Sequence, residues 1–222
     1  MEQQQSPERS RTEVRRLPER GVYDRGSIDA ILDEALICHV GFTTDDGPVV
    51  IPTIHARCGD VLYLHGSPAS RMLRTTPGTQ VCVTVTLVDG IVAARSTFHH
   101  SMNYRSVVVF GEPRVVIDPH ERRSAFEAIT EHVLPGRWEE ARHPNEREDR
   151  GTRLLALGIS EASAKMRTGP PGDEPEDMDL DVWAGVIPIR SVAGTPIPAP
   201  DLTPGVELPE YIRRYVADRT HI

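Results

Sequence analysis

Short runs of alternating apolar and polar residues, broken by Asp-Gly and Pro-Gly pairs, dominate the middle of the chain. Such runs read as strands joined by tight turns. The clearest is Gln80–Val88, with Val81, Val83, Val85 and Leu87 on one face and Cys82, Thr84 and Thr86 on the other. Leu36–Thr43 predicts a strand, Asp46-Gly47 a hairpin turn, and Pro48–Arg57 its partner. Gly59-Asp60 turns the chain into a third strand, Val61–His65, and Asp89-Gly90 is read as a turn leading into Ile91–Ser96. A long strand over Tyr104–Ile117 is interrupted at Gly111-Glu112-Pro113, where a bulge or sheet corner suits Gly and tolerates Pro. Leu154–Ser160 and Val182–Ile189 predict late strands.

Helical periodicity fills the gaps. Ser27 is read as the cap of a short helix with Ile28, Ile31, Leu32 and Ala35 on one face. Ser67-Pro68 starts a helix of about two turns that stops before Pro77-Gly78. Asp118-Pro119-His120-Glu121 is a capping-box pattern launching a helix whose Ala125, Phe126, Ile129 and Val133 share a face. Glu210–Arg219 predicts a final, loosely attached helix. Many short antiparallel strands with helices inserted at intervals indicate an α+β fold, mainly β: a small barrel with helical covers. Its body is residues 21–190, preceded by a polar tail over 1–20 and followed by a Pro-rich extension over 191–222.

Composition narrows the class. A chain of 222 residues buries enough surface to need no disulfide or metal. Its three cysteines, Cys38, Cys58 and Cys82, lack zinc spacing and read as reduced thiols in a cytoplasmic protein. No apolar run approaches the ~20 residues of a membrane span. The net charge of −8 and scattered arginines argue against nucleic acid. Asp173–Asp181, after Gly169-Pro170-Pro171-Gly172, reads as an acidic loop or flap.

The segment Leu62–Arg71 (LYLHGSPASR) carries the most chemistry. A strand ending at His65 runs into Gly66-Ser67, where backbone approaches a ligand closely, and then into a helix whose first amides favour an anion. Ser67 and Ser70 add hydroxyls, and Arg71 adds donors suited to phosphate. An ordinary capped helix with a surface arginine fits the same residues.

LYLHGSPASRML, then HHSMNYRSVVVFG, EHVLPGR and SEASAKMR, in that order, resemble the flavin-nucleotide-binding branch of the pyridoxamine 5'-phosphate oxidase-like superfamily, and within it the Nim-type nitroimidazole reductases. The resemblance implies a homodimer of six-stranded antiparallel split β-barrels, each 21–190 body helping to bind FMN at two interface sites. By position, Pro52 and Thr53 match the strand beside the isoalloxazine ring. His65, Gly66, Ser70 and Arg71 match flavin and phosphate contacts. Arg105-Ser106 matches the place where a polar side chain meets the flavin, and Trp183 resembles a tryptophan supplied by the second subunit. Packing in a core or interface also suits Trp183. The oxidases' Arg-x-His substrate motif is missing from IPIRSVAG, which argues against vitamin B6 oxidation.

The expected function is therefore FMN-dependent transfer of a hydride or electron pair to or from a small, aromatic or nitro-bearing substrate. NAD(P)H would bind transiently, or a separate reductase would supply electrons. A flavin carrier without turnover is the alternative, as is F420 or haem in place of FMN, which other branches hold. His65 fits three roles: packing beside the flavin, donating a proton as a catalytic acid, or filling a strand end. His99-His100 point to opposite faces and predict no metal site, and His55 reads as a half-buried strand residue in preference to a haem ligand. Lys165 and Arg167 share a face, suited to phosphate, an acidic substrate or the acidic flap, or simply to solvated ion pairs.

Overall fold

A computed structural model describes residues 10–220. After a 3-10 turn at Pro18–Arg20 come β1 (Gly21–Val22), α1 (Arg25–Glu34), β2 (Ile37–Thr44), β3 (Gly47–Cys58), β4 (Val61–Gly66), α2 (Arg71–Thr75) and β5 (Val81–Ala93). A second 3-10 turn, Thr97–His99, leads to β6 (Ser101–Gly111), β7 (Arg114–Val115), α3 (Pro119–Val133), α4 (Arg137–Glu140), α5 (Glu146–Arg150), β8 (Arg153–Gly158) and β9 (Glu161–Arg167). A third turn at Pro175–Asp177, β10 (Gly185–Pro188) and α6 (Glu210–Thr220) complete the chain.

The strands form an antiparallel sheet in the order β1-β9-β6-β5-β2-β3-β4-β8-β7, with β10 added to β5. Fold class and architecture are the expected α+β split barrel, with ten strands where six were expected; three of the ten are short, β1 and β7 of two residues each and β10 of four. Inward residues of β2, β4, β5, β6 and β8, among them Val40, Leu62, Val83, Val107 and Leu155, meet Ile28, Ile31 and Leu32 of α1 in the main core. Each such aliphatic side chain contributes about 1.5–3 kcal/mol. A smaller core lies beneath α3, where Ala125 and Ile129 cover Ala56, Tyr63, Leu154 and Ala156.

Several local expectations are corrected. The cap of α1 is Asp24, whose carboxylate accepts from the Ser27 amide at 2.9 Å. A carboxylate outcompetes the hydroxyl three residues later because it also meets the positive helix end. Asp89-Gly90 is no reversal: β5 runs through it with a bulge against β6. Gly90 serves instead for close approach, since a Cβ there would lie 3.0 Å from the Ile187 carbonyl of β10. The last predicted strand shrinks to Gly185–Pro188, leaving Trp183 outside it.

Asp118 caps α3 through the Glu121 amide at 2.9 Å, but the box does not close. Glu121 turns away to Arg114 and to the Tyr63 hydroxyl, whose pKa is pushed up to about 12 by burial and, after it, by this carboxylate. Asp118→Ala is expected to destabilise the fold by about 1 kcal/mol, read as a lower urea midpoint with unchanged slope.

Residues 10–20 of the predicted tail lie against the body: Arg11 pairs with Glu161, and the Val14 amide donates to the Tyr23 hydroxyl at 2.9 Å. Residues 1–9 fall outside the described residues. The extension has no regular structure until α6, where Tyr211 sits on Gly136 and bonds Arg137 and Glu140.

Candidate functional site

The site begins where the sheet splits. β3 pairs with β2 from Gly47 to Ile54 and with β4 only from His55 to Cys58. Ile54 and His65 are the next positions in the β3-β4 register, and there pairing stops: β4 continues against β8, with His65 opposite Leu154 and Gly66 opposite Arg153. The edge of β3 carrying Pro52 and Thr53 is thus left without a strand partner on the β4 side. An unpaired strand edge offers backbone donors and acceptors to whatever lies in the gap. The split sets Pro52 and Thr53 on one bank and His65 and Gly66 on the other.

His65 is half-buried, and its Nδ1 is buried with no hydrogen-bond partner. Burial holds its pKa below the ordinary histidine value, so the imidazole is neutral near pH 7. A buried nitrogen without a partner calls for an explanation, and a ligand beside His65 would supply one.

Beyond Gly66 the chain departs from the predicted two-turn helix. The Ser67 carbonyl accepts from the Ser70 amide at 2.9 Å and the Ser67 hydroxyl from the Ala69 amide at 3.2 Å, closing a tight turn. Serine spends its side chain locally here, so the helix begins only after Ser70, lasts from Arg71 to Thr75 and ends ahead of Pro77. Ser70 makes no side-chain cap bond, leaving its hydroxyl available. Arg71 is exposed and meets no carboxylate among the described residues. Leu73 backs the turn, since a Cβ on Gly66 would lie 3.0 Å from its Cδ1. The cradle therefore offers hydroxyl and guanidinium donors.

The Arg105-Ser106 pair is divided between two faces. Ser106 lies on the outer face of β6, its hydroxyl donating to the Lys165 carbonyl at 3.2 Å. Arg105 points the other way, clamped by Glu34 of α1 and by Asp89 at 2.7 Å. Those carboxylates raise its pKa and commit its guanidinium to the fold. Trp183 is 66% exposed beside Gly185, away from the split edge of β3. Around it Ile187, Ile91 and Met102, cross-strand neighbours on β10, β5 and β6, form an exposed apolar shelf.

His39 was missed by sequence reasoning. It pairs with Pro52 on one side and Thr84 on the other, is exposed, and has no hydrogen-bond partner among the described residues. The signal was its place in LICHVGFT, where alternation sets His39 opposite buried Cys38 and Val40. His55, by contrast, is fully buried, with its Nε2 on the Leu32 carbonyl at 2.9 Å. Among the described residues no cluster of His, Cys, Asp or Glu suits a metal ion, and no helix is long and apolar enough to cross a membrane.

A family model described as Pyridoxamine 5'-phosphate oxidase matches residues 24–166. The fold is similar to the flavocytochrome Anf3 from Azotobacter vinelandii, at 39% identity and a TM-score of 0.88 over 92% of this chain and 95% of that one. It is also similar to the FAD and heme binding protein from Mycobacterium smegmatis, at 36% identity and a TM-score of 0.85, covering 89% and 97%. A protein from Bacteroides thetaiotaomicron VPI-5482 assigned to 5-nitroimidazole antibiotic resistance aligns at 25% identity and a TM-score of 0.54, covering 65% of this chain and 85% of its own. No curated protein matches the chain.

Proposed function

The chain belongs to the pyridoxamine 5'-phosphate oxidase family, and from that membership we propose that it is a flavin-binding oxidoreductase exchanging electrons with a small aromatic or nitro-bearing molecule. The observation that carries this reading is the split itself: β3 has no β4 partner at Pro52 and Thr53, and His65, where pairing stops on β4, keeps a buried nitrogen without a partner just before the Ser67–Arg71 turn. A bound flavin would supply the redox chemistry. The chain's own residues position it: the β3 edge meets the ring, Gly66 admits close approach, and Ser67, Ser70 and Arg71 hold the phosphate. His65, kept neutral by burial, accepts a hydrogen bond at the ring or holds a proton for the substrate. Electrons arrive from NAD(P)H or from a separate reductase. The exposed shelf around Trp183 supports assembly as a homodimer.

A second reading adds haem beside the flavin, as in the names of the two similar proteins from A. vinelandii and M. smegmatis. His65 and His39, both free of hydrogen-bond partners among the described residues, have the donor chemistry for iron. One measurement tests both readings: the visible spectrum of the purified chain, followed by acid release and chromatography of what it carries. Flavin bands are expected, and the released nucleotide separates FMN from FAD. A colourless protein that takes up neither on titration overturns the flavin reading. A Soret band that survives in both the His65→Ala and His39→Ala variants rules out these histidines as iron ligands.

A further inference from the structure

Leaving α3, the chain reverses at Gly136, whose φ of 88° lies in the left-handed region that glycine adopts without steric cost. The Glu131 carboxylate holds the reversal by accepting from the Gly136 amide at 2.6 Å and the Trp138 amide at 2.8 Å. Trp138 is thereby brought back against α3, where it is only 7% exposed. The His143 ring stacks on the indole with centroids 4.1 Å apart, and its Nε2 donates to the Trp138 carbonyl at 3.2 Å.

A cavity of about 320 Å³ opens beside this stack, with Trp138, Phe126, Pro119 and Pro144 among its walls. Ile117 also lines it and is 80% exposed, an aliphatic side chain that the fold leaves uncovered. Two adjacent arginines of α3 reach the cavity, and their charges are in different states. Arg122 is neutralised by Asp149 at 2.8 Å and further tied to the Val116 and Thr152 carbonyls. Arg123 pairs with no carboxylate among the described residues; its guanidinium stands 5.7 Å from the centre of the Trp138 ring. The lining therefore keeps one uncancelled guanidinium. Trp138 makes its hydrogen bonds through its backbone, so the indole N–H of this nearly buried side chain has no partner among the described residues. A buried tryptophan ordinarily finds one.

We propose that this pocket is a second ligand site, which takes a single-ring aromatic carboxylate. None of its walls belongs to the split or to the Ser67–Arg71 turn, so it is separate from the flavin site proposed above. Its volume lies at the lower end of the roughly 300–1,000 Å³ of small-molecule pockets, enough for one substituted ring and too little for a dinucleotide. Flat walls of indole, phenyl and proline rings select a planar apolar body. The free Arg123 fork selects a carboxylate, whose two oxygens it can meet together, and the indole N–H offers a further donor. Such a ligand covers Ile117 and gives Arg123 its missing counter-charge.

With two tryptophans in the chain, occupancy is directly readable. The full chain, labelled with nitrogen-15, is titrated with 4-fluorobenzoate while its two indole N–H resonances are followed, the Trp183→Phe variant identifying the one from Trp138. The Trp138 resonance is expected to shift saturably with a Kd below about 1 mM. Arg123→Gln is expected to raise that Kd about tenfold and Arg123→Lys to raise it less, while the neutral 4-fluorobenzamide binds the parent about tenfold more weakly than the acid. A Trp138 resonance unmoved at about 10 mM 4-fluorobenzoate, in protein shown folded by circular dichroism, overturns the proposal. So does an affinity that Arg123→Gln leaves unchanged, or one lost on saturation with FMN or FAD, which would put the ring at the split. The parent titration needs no variant to fold and no flavin to bind. A chain that takes up neither FMN nor FAD therefore removes the flavin reading while leaving this pocket standing.

Discussion

Replacing Arg71 by alanine is expected to weaken flavin binding by one to three orders of magnitude, about 1.5–4 kcal/mol for a lost charged contact to phosphate. Arg71 is the first residue of α2, exposed and without a carboxylate partner among the described residues, so its removal leaves no buried charge stranded. Stability should stay within about 0.5 kcal/mol of the parent, as for a surface change that breaks no cap or core contact. The loss then reports on the ligand alone. Fluorescence titration with FMN and FAD, alongside urea unfolding, separates the two effects. Arg71→Lys should recover part of the affinity, since it restores charge without the planar fork. Unchanged affinity in Arg71→Ala would mean that the phosphate sits elsewhere.

Acid should destabilise the fold through His55, quite apart from any cofactor. This imidazole is fully buried on the Leu32 carbonyl, with the His132 ring 4.9 Å away, and burial lowers its pKa to about 4 from 6.5. Below pH 6.5 the unfolded chain takes up a proton that the folded one refuses, so protons favour unfolding. The stability is fully present above 6.5 and is lost as pH falls toward 4. Between pH ~7.5 and ~5 the loss attributable to this group is about 2 kcal/mol. Urea unfolding at the two pH values measures it, and in His55→Gln, whose amide still reaches toward the Leu32 carbonyl, the difference should shrink by that amount. A pH dependence equal to the parent's would assign the acid sensitivity to other groups.

Both predictions rest on residues whose surroundings the sequence showed unequally. Arg71 was legible because Gly-Ser, a helix and an arginine following a strand form a local pattern. His55 looked like an ordinary strand residue, because its partner Leu32 lies on α1 and its neighbour His132 on α3, both far along the chain. Arg105 shows the same limit. The resemblance matches it together with Ser106, yet a strand sends neighbours to opposite faces, and Glu34 and Asp89 close around the arginine from separate elements. His39 went unnoticed because only the pairing of β2 with β3 puts it beside Pro52.

Local chemistry alone determined the strands, because alternation of Val81, Val83 and Val85 with polar neighbours has no other way to bury one face. Through ordered motifs it also pointed to the family. Tertiary structure decided where the sheet splits, which cap holds α1, that Asp89-Gly90 continues a strand, and which cations lack a counter-charge. Those outcomes depend on contacts between elements distant in sequence, and no period or short motif carries that information. The Gly66–Arg71 segment is legible in the chain; the split beside it exists only because β3 and β4 part company after four pairs.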